Sequence, residues 1–232
     1  MAMDIKPYQA FAEAHFGGFN DLQLLITAFT HRSYINEHKK SASEHNERME
    51  FLGDAVLELI VTEHLYRKYE EAEGVLTNWR SALVRTESIS AAAAEQGFEP
   101  LLRLSRGEKR GSERARQQIL ANTYEAVIGA LFLDQGLEAA RKYIEQTLLP
   151  SLENILENGL WLDPKSRLQE MAQSKDNATP QYRVMQEDGP DHDKTFIVGV
   201  FINDKQKGQG EGPSKQAAQV LAAADALNHY EE

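Results

Sequence analysis

Three carboxylates at helical spacing, inside an otherwise apolar segment, constrain this chain more than any other feature. The segment 45–57 carries Glu47, Glu50 and Asp54 at positions i, i+3 and i+7, and these offsets share one face of a helix. The opposite face carries apolar side chains that predict burial: Phe51, Leu52, Ala55, Val56, Leu59 and Ile60. Neighbouring acids repel one another and lose solvation when partly buried. The spacing alone allows two interpretations, a bound divalent cation or a solvated acidic face.

The composition restricts where the chain works and which sites it can build. Cysteine is absent from the 232 residues, which excludes disulfides and thiolate metal sites and favours the cytoplasm. No apolar run approaches the roughly 20 residues that cross a bilayer, and residues 1–7 lack a secretory pattern, so no membrane partner is expected. The net charge of −11 argues against nucleic acid, because phosphate binding requires a positive field.

The pattern of apolar residues divides the chain into two parts. It predicts helix after helix from residue 8 to residue 160, including helices from about 46 to 69 and over 118–134. Beyond residue 163 it predicts a helix, strands over 181–186, 194–203 and 204–212, and a final alanine-rich helix. We therefore expect an all-α N-terminal domain over residues 1–158, a linker over 159–163 and a small α+β (α-β-β-β-α) domain over 164–232.

Two further segments carry polar groups that could contribute to a site. The helix over 118–134 places Asn122 and Glu125 one turn apart. Residues 104–116 contain five lysines or arginines and two glycines, which suits either a solvated loop or a contact with phosphate. The histidines lack zinc-site spacing.

Several segments, in the same order along the chain, resemble the ribonuclease III family. Residues 47–57, ERMEFLGDAVL, look like its signature helix, with Met49 where leucine is usual. Supporting segments are THRSY at 30–34, EGVLT at 73–77, RSALV at 80–84, LSRGE at 104–108 and ILANTYEA at 119–126. The C-terminal part resembles a double-stranded-RNA-binding domain through KSRLQE at 165–170 and GEGPSK at 210–215. The resemblance covers nearly the whole chain.

This resemblance implies a homodimeric endonuclease that depends on Mg²⁺, with Mn²⁺ as a possible substitute, and cuts both strands of double-stranded RNA. The products would carry 5′-phosphate and 3′-hydroxyl ends with short 3′ overhangs, and structured RNA precursors would be the substrates. By position, the metal ligands would be Glu50, Asp54, Asn122 and Glu125, with Asp54 and Glu125 catalytic. Glu47 would support the site, Glu73 would border the dimer cleft, and Phe51 would pack into the partner subunit. Hard oxygen ligands suit Mg²⁺, which can activate a water and stabilise a leaving oxygen.

Asn122 departs from the family pattern, which has aspartate at this position. Its carbonyl oxygen can still bind a cation, but one negative charge is lost and the amide N–H₂ must face away from the metal. Two interpretations remain: a working variant with weaker Mg²⁺ binding or a preference for Mn²⁺, or a catalytically impaired protein that binds duplex RNA without cutting it.

The C-terminal part is acidic for a module that would bind RNA. From Asp163 onward, 12 acids stand against 8 lysines and arginines, a net charge of −4. Duplex RNA is recognised largely by shape, through 2′-hydroxyl and phosphate contacts. The resemblance places minor-groove contacts at Ser166, Gln169, Glu170 and His192, and a phosphate contact at Lys215. Gln216 stands where the family usually has a second lysine, so weaker and less salt-sensitive binding is expected. A metal-binding helical protein without an RNA partner is the remaining alternative.

Overall fold

The computed structural model describes residues 4–38, 44–190 and 194–230 and divides the chain into two compact units, Met1–Asn158 and Gly159–Glu232. The first unit is helical and the second contains a three-stranded antiparallel sheet flanked by helices. The predicted fold class is therefore confirmed. No helix in the described part of the chain is long and apolar enough to cross a membrane.

The first unit is built around its two longest helices, α4 (Glu47–Lys68) and α7 (Glu113–Gln135). Shorter helices surround this pair: α1 (Lys6–Phe16), α2 (Leu22–Ala28), α3 (Arg32–Glu37), α5 (Glu73–Val84), α6 (Thr86–Glu95), α8 (Leu137–Thr147) and α9 (Ser151–Glu157). Short 3₁₀ turns lie at Glu99–Leu101 and Glu108–Arg110. The segment EGVLT at 73–77 forms the first turns of α5, which begins at Glu73. A single glycine there did not outweigh the helix-forming sequence that follows it.

Two glycines allow α4 and α7 to cross in close contact. A Cβ atom on Gly53 would lie 1.7 Å from the carbonyl oxygen of Glu125, and one on Gly129 would lie 2.3 Å from the carbonyl oxygen of Met49. Backbones can approach this closely only where side chains are absent. The crossing fixes the register of the two helices and brings the acids of α4 beside those of α7.

The apolar face predicted for α4 is only partly buried. Of the six predicted residues, Val56 and Ile60 are buried, Leu52 is half-buried and Ala55 is exposed. The helix instead completes its buried face with Met49, Leu57, Val61 and Leu65. Phe51 is 81% exposed and Leu59 is 53% exposed, so the prediction that they are buried is wrong within this unit. The helix has a second apolar strip outside its core face, which periodicity alone cannot distinguish from the first.

The second unit packs two helices and a sheet around a small core. The helices are α10 (Pro164–Asp176) and α11 (Lys215–Tyr230), and the strands are β1 (Gln181–Asp188), β2 (Thr195–Ile202) and β3 (Lys205–Gly212), in the order β1-β2-β3. On β3, Gly208 and Gly210 face α11, where an added Cβ would lie 2.5 Å or less from the helix backbone. Alternate glycines thus meet the alanines of α11, buried at intervals of four residues: Ala218, Ala222 and Ala226.

Candidate metal and RNA sites

The first half of the candidate site lies in the opening turns of α4. Asn46, almost fully buried, precedes the helix, and its backbone N–H donates to the carbonyl of Thr30 over 2.9 Å. Glu47 and Glu50 follow in the first turn, where the positive end of the helix favours carboxylates. Asp54 lies one turn further on and is exposed.

The second half comes from α7, whose first turn is capped by the Ser112 hydroxyl, which accepts from the N–H of Ala115 over 3.3 Å. Asn122 and Glu125 are both partly buried on this helix. The backbone carbonyl of Glu125 lies directly over Gly53, and the charges of Glu50 and Asp54, on either side of that glycine, act on the Glu125 carboxyl. Glu50, Asp54 and Glu125, termed here the α4–α7 acids, therefore lie near one another across the crossing.

The electrostatics of the α4–α7 acids reflect burial and mutual repulsion. Burial, with the charges of Asp54 and Glu50, raises the pKa of Glu125 from 4.5 to about 8. Burial and the charges of Glu47 and Asp54 also raise the pKa of Glu50. A partly buried acid whose pKa is raised into the neutral range is typical of a functional site.

The amide of Asn122 forms hydrogen bonds with two side chains. Its Oδ1 accepts a hydrogen bond of 2.7 Å from Nε2 of Gln118, one turn earlier on α7. It also forms a side-chain hydrogen bond with Glu50 that lowers the pKa of that carboxyl, opposing the effect of burial. The amide must be the donor to an ionised carboxylate, so its N–H₂ faces the acids and its oxygen faces Gln118. Gln118 was not predicted as a site residue, although its place four residues before Asn122 was a signal for this contact.

The donor set fits a hard divalent cation, but the ligands are not gathered around one point. Within residues 4–38, 44–190 and 194–230, no three His, Asp or Glu side chains stand close enough together to hold a metal ion. The oxygens of the α4–α7 acids are nevertheless the ligands that Mg²⁺ and Mn²⁺ prefer. A cation would also offset the burial and the repulsion that together raise the pKa of Glu125. Binding therefore requires side-chain rotation, and ligation by Asn122 requires its amide to turn.

The two supporting acids occupy different surroundings. Glu47 pairs with Arg32 at 3.4 Å and lies 3.8 Å from Nδ1 of His45, and its charge acts on Glu50. Glu73, the first residue of α5, lines a surface groove together with Tyr66 and Arg80. Its charge is not among those that shift the pKa of Glu50 or Glu125. The structure thus brings Glu47, and not Glu73, to the α4–α7 acids.

The segments THRSY (30–34) and LSRGE (104–108) of the first unit are held together by hydrogen bonds. Ser33 Oγ lies 2.8 Å from Nδ1 of His31 and accepts from the N–H of Ser105 over 3.1 Å. Ser105 Oγ in turn accepts from the N–H of Glu108. These contacts anchor the basic loop 106–116, whose last four residues already form the first turn of α7. Arg116, in that turn, pairs with Glu99 at 3.3 Å. Four other cations of the loop are exposed: Arg106, Lys109, Arg110 and Arg114.

The residues predicted to contact RNA lie mainly on the helices of the second unit. Gln169 and Glu170 are exposed on α10. Ser166 is used in capping that helix, because its N–H and its hydroxyl both donate to the Asp163 carboxylate. Lys215 begins α11, and its Nζ lies 2.8 Å from Oε1 of Glu187. His192 lies outside the described residues.

Comparisons with known proteins agree with this architecture. The Ribonuclease-III-like family model matches residues 21–152, and the Double-stranded RNA binding motif matches residues 164–230. The chain is 43% identical to Ribonuclease 3 of Lactococcus lactis over 210 residues, 90% of each chain. It is 42% identical to Ribonuclease 3 of Bacillus cereus over 228 residues, 98% of this chain and 93% of that protein. A solved nuclease domain of ribonuclease III from Campylobacter jejuni superposes with a TM-score of 0.54 at 36% identity, covering 59% of this chain and 92% of that one.

Proposed function

Because the chain belongs to the ribonuclease III family, we propose that it is an endonuclease that hydrolyses double-stranded RNA with the help of Mg²⁺ or Mn²⁺. The observation that carries the proposal is the crossing of α4 and α7 at Gly53 and Gly129, which places Glu50 and Asp54 against Glu125. The expected products carry 5′-phosphate and 3′-hydroxyl ends with short 3′ overhangs. Structured RNA precursors in the cytoplasm are the expected substrates, in keeping with the bacterial relatives.

The α4–α7 acids would hold the cation, and Glu47 would support Glu50 from one turn earlier. When bound, a divalent cation supplies an activated water and stabilises the leaving oxygen of the phosphodiester. To serve as a ligand, Glu125 must give up the proton that its pKa of about 8 retains at neutral pH, so binding of the cation releases a proton. Glu50 and Glu125 are partly buried, whereas Asp54 is exposed. RNA would therefore approach the acids from the side of Asp54.

We propose Asn122 as the fourth metal-site residue, with two possible modes of action. If its amide turns, the carbonyl oxygen can join the ligand set. If it keeps the orientation set by Gln118, the amide orients Glu50 as a hydrogen-bond donor and ligation is left to the three acids. Either mode leaves the site one negative charge weaker than the family pattern.

A second copy of the chain is the proposed partner, because a single copy provides one such site and duplex cleavage requires two cuts. Exposed apolar side chains lie along one side of α4: Phe51, Leu59 and Tyr66, which are 81%, 53% and 78% exposed. Their offsets of eight and seven residues place them on one strip of the helix. An apolar strip of this kind on a helix next to the site suits a self-complementary contact between two copies.

Recognition of the RNA would combine the second unit with the basic loop. The predicted contacts Ser166, Gln169, Glu170 and Lys215 lie on α10 and at the start of α11. The loop adds four exposed cations from the first unit. Phosphate contacts depend on the field near the ligand. The positive charge of the loop therefore allows RNA binding despite the overall charge of −11.

A second candidate function is a protein that binds duplex RNA without cutting it, and Asn122 is the observation that favours it. The deciding experiment is a cleavage assay on a long perfect RNA duplex across a titration of Mg²⁺ and of Mn²⁺. Metal-dependent products with 5′-phosphate ends support the nuclease. No cleavage by the wild type at high metal, with cleavage restored by Asn122→Asp, supports the binding protein instead.

A further inference from the structure

The ammonium group of Lys215 is already occupied in the protein alone. Its Nζ lies 2.8 Å from Oε1 of Glu187 and 5.4 Å from the centre of the Phe196 ring. Glu187 and Phe196 are directly opposite each other in the β1–β2 ladder. One acid and one aromatic face from adjacent strands therefore hold the lysine side chain against the sheet.

Glu187 also attracts the other nearby cation. Nζ of Lys194 lies 4.0 Å from Oε2 of the same carboxylate. The position after Lys215 is the neutral Gln216, so no second cation follows Lys215 in the first turn of α11. The lysine of this first turn is therefore the one that Glu187 neutralises.

The start of α11 otherwise suits an anion. Ser214 caps the helix by accepting from the N–H of Ala217 over 3.1 Å, and the remaining N–H groups and the helix dipole favour negative charge. A phosphate that approaches Lys215 must displace the Glu187 carboxylate or accept its repulsion. With duplex RNA as the ligand of the proposed function, we infer that Glu187 competes with an RNA phosphate for Lys215 and weakens duplex binding by the second unit.

This competition predicts a specific change when the acid is neutralised. Exposed ion pairs are weak, so Glu187→Gln should tighten binding by only about three- to fivefold at roughly 0.1 M salt. One more phosphate contact would also make the slope of log binding constant against log salt concentration steeper by about one released ion. Glu211→Gln is the matched control, since it removes the same charge from an exposed position of β3 that has no ion pair within the described chain.

The test measures binding of the full-length protein, in a chelator that prevents cleavage, to a perfect RNA duplex of at least about 16 base pairs. The variants are Glu187→Gln, Glu211→Gln, Lys215→Gln and the double variant Glu187→Gln/Lys215→Gln, each checked by thermal melting. Glu187→Gln should bind more tightly than Glu211→Gln, and its additional gain should vanish in the Lys215→Gln background.

Three outcomes separate the possibilities. An equal gain from Glu187→Gln with and without Lys215 overturns the competition and leaves a general charge effect. A gain no larger than that of Glu211→Gln overturns it as well. Failure of the wild type to prefer the RNA duplex over a DNA duplex of the same sequence would instead contradict the proposed function, and that result is visible before any variant is compared.

Discussion

Gly53 of α4 and Glu125 of α7 occupy the same point of the helix crossing, where a Cβ atom on the glycine would lie 1.7 Å from the glutamate carbonyl oxygen. The acid is thus positioned by backbone contact with the helix that carries the other two acids. Any side chain at residue 53 must push α7 away from α4. This shift would both separate the α4–α7 acids and loosen the packing of the core.

The first prediction follows from this contact. Gly53→Ala should lower the free energy of unfolding by about 3 kcal/mol, the upper range for overpacking a core, and should abolish metal binding. Gly74→Ala is the control, because nothing lies within 4 Å of its added Cβ on α5, and alanine favours helix. Chemical denaturation measures both variants. Equal stability of the two would contradict the close crossing.

A second prediction concerns the pH dependence of stability without metal. Glu125 keeps its proton in the folded protein up to pH of about 8, whereas 4.5 is its ordinary pKa. Between these values the folded state binds more protons than the unfolded state, so stability should fall as pH rises from about 4.5 to 8. Glu50, whose pKa is also raised, acts in the same direction.

Replacing Glu125 tests this assignment. Glu125→Gln should flatten the fall in melting temperature between pH 5 and pH 8 in the presence of a chelator, since glutamine has no proton to lose. Glu153→Gln, at an exposed position of α9, should leave the wild-type slope intact. A slope that is unchanged by Glu125→Gln would show that other groups govern it.

Much of this architecture was predictable from the sequence, for identifiable reasons. The acids of α4 and the pair Asn122 and Glu125 follow helical spacing, and helical spacing is a local property. The contact between Gly53 and Glu125 joins residues far apart in sequence, which periodicity cannot reveal. Phe51 and Leu59 have the residue types of a core, and only the tertiary structure leaves them exposed. The pairing of Lys215 with Glu187 was likewise hidden, because it depends on where a helix start meets a strand.

A third prediction addresses Asn122. Asn122→Asp restores a negative charge beside Glu50 and should tighten Mn²⁺ binding about tenfold, which corresponds to 1.4 kcal/mol. The same charge should lower the melting temperature without metal, because it removes the amide donor of Glu50 and adds repulsion. Calorimetric titration and melting with and without Mn²⁺ measure the two effects.

The control for Asn122→Asp is Asn154→Asp, which adds the same charge at an exposed position of α9. It should change neither Mn²⁺ affinity nor the difference between the metal-free and metal-bound melting temperatures. If Asn122→Asp leaves Mn²⁺ affinity unchanged as well, residue 122 is not part of the metal site, and ligation rests on the three acids alone.

The last prediction concerns the exposed strip of α4. Phe51→Ala should weaken the proposed dimer enough to leave a monomer at micromolar concentration. Phe51 is 81% exposed in the single chain, so it adds apolar burial only when a second copy covers it. When both proteins are compared as monomers, the variant should melt at nearly the same temperature as the wild type, since the ring has little contact with its own core. Sedimentation over a range of concentrations measures the association, and Leu221→Ala, at a half-exposed position of α11, provides the control. Dimers that are equally stable in both variants would place the contact between copies elsewhere on the surface.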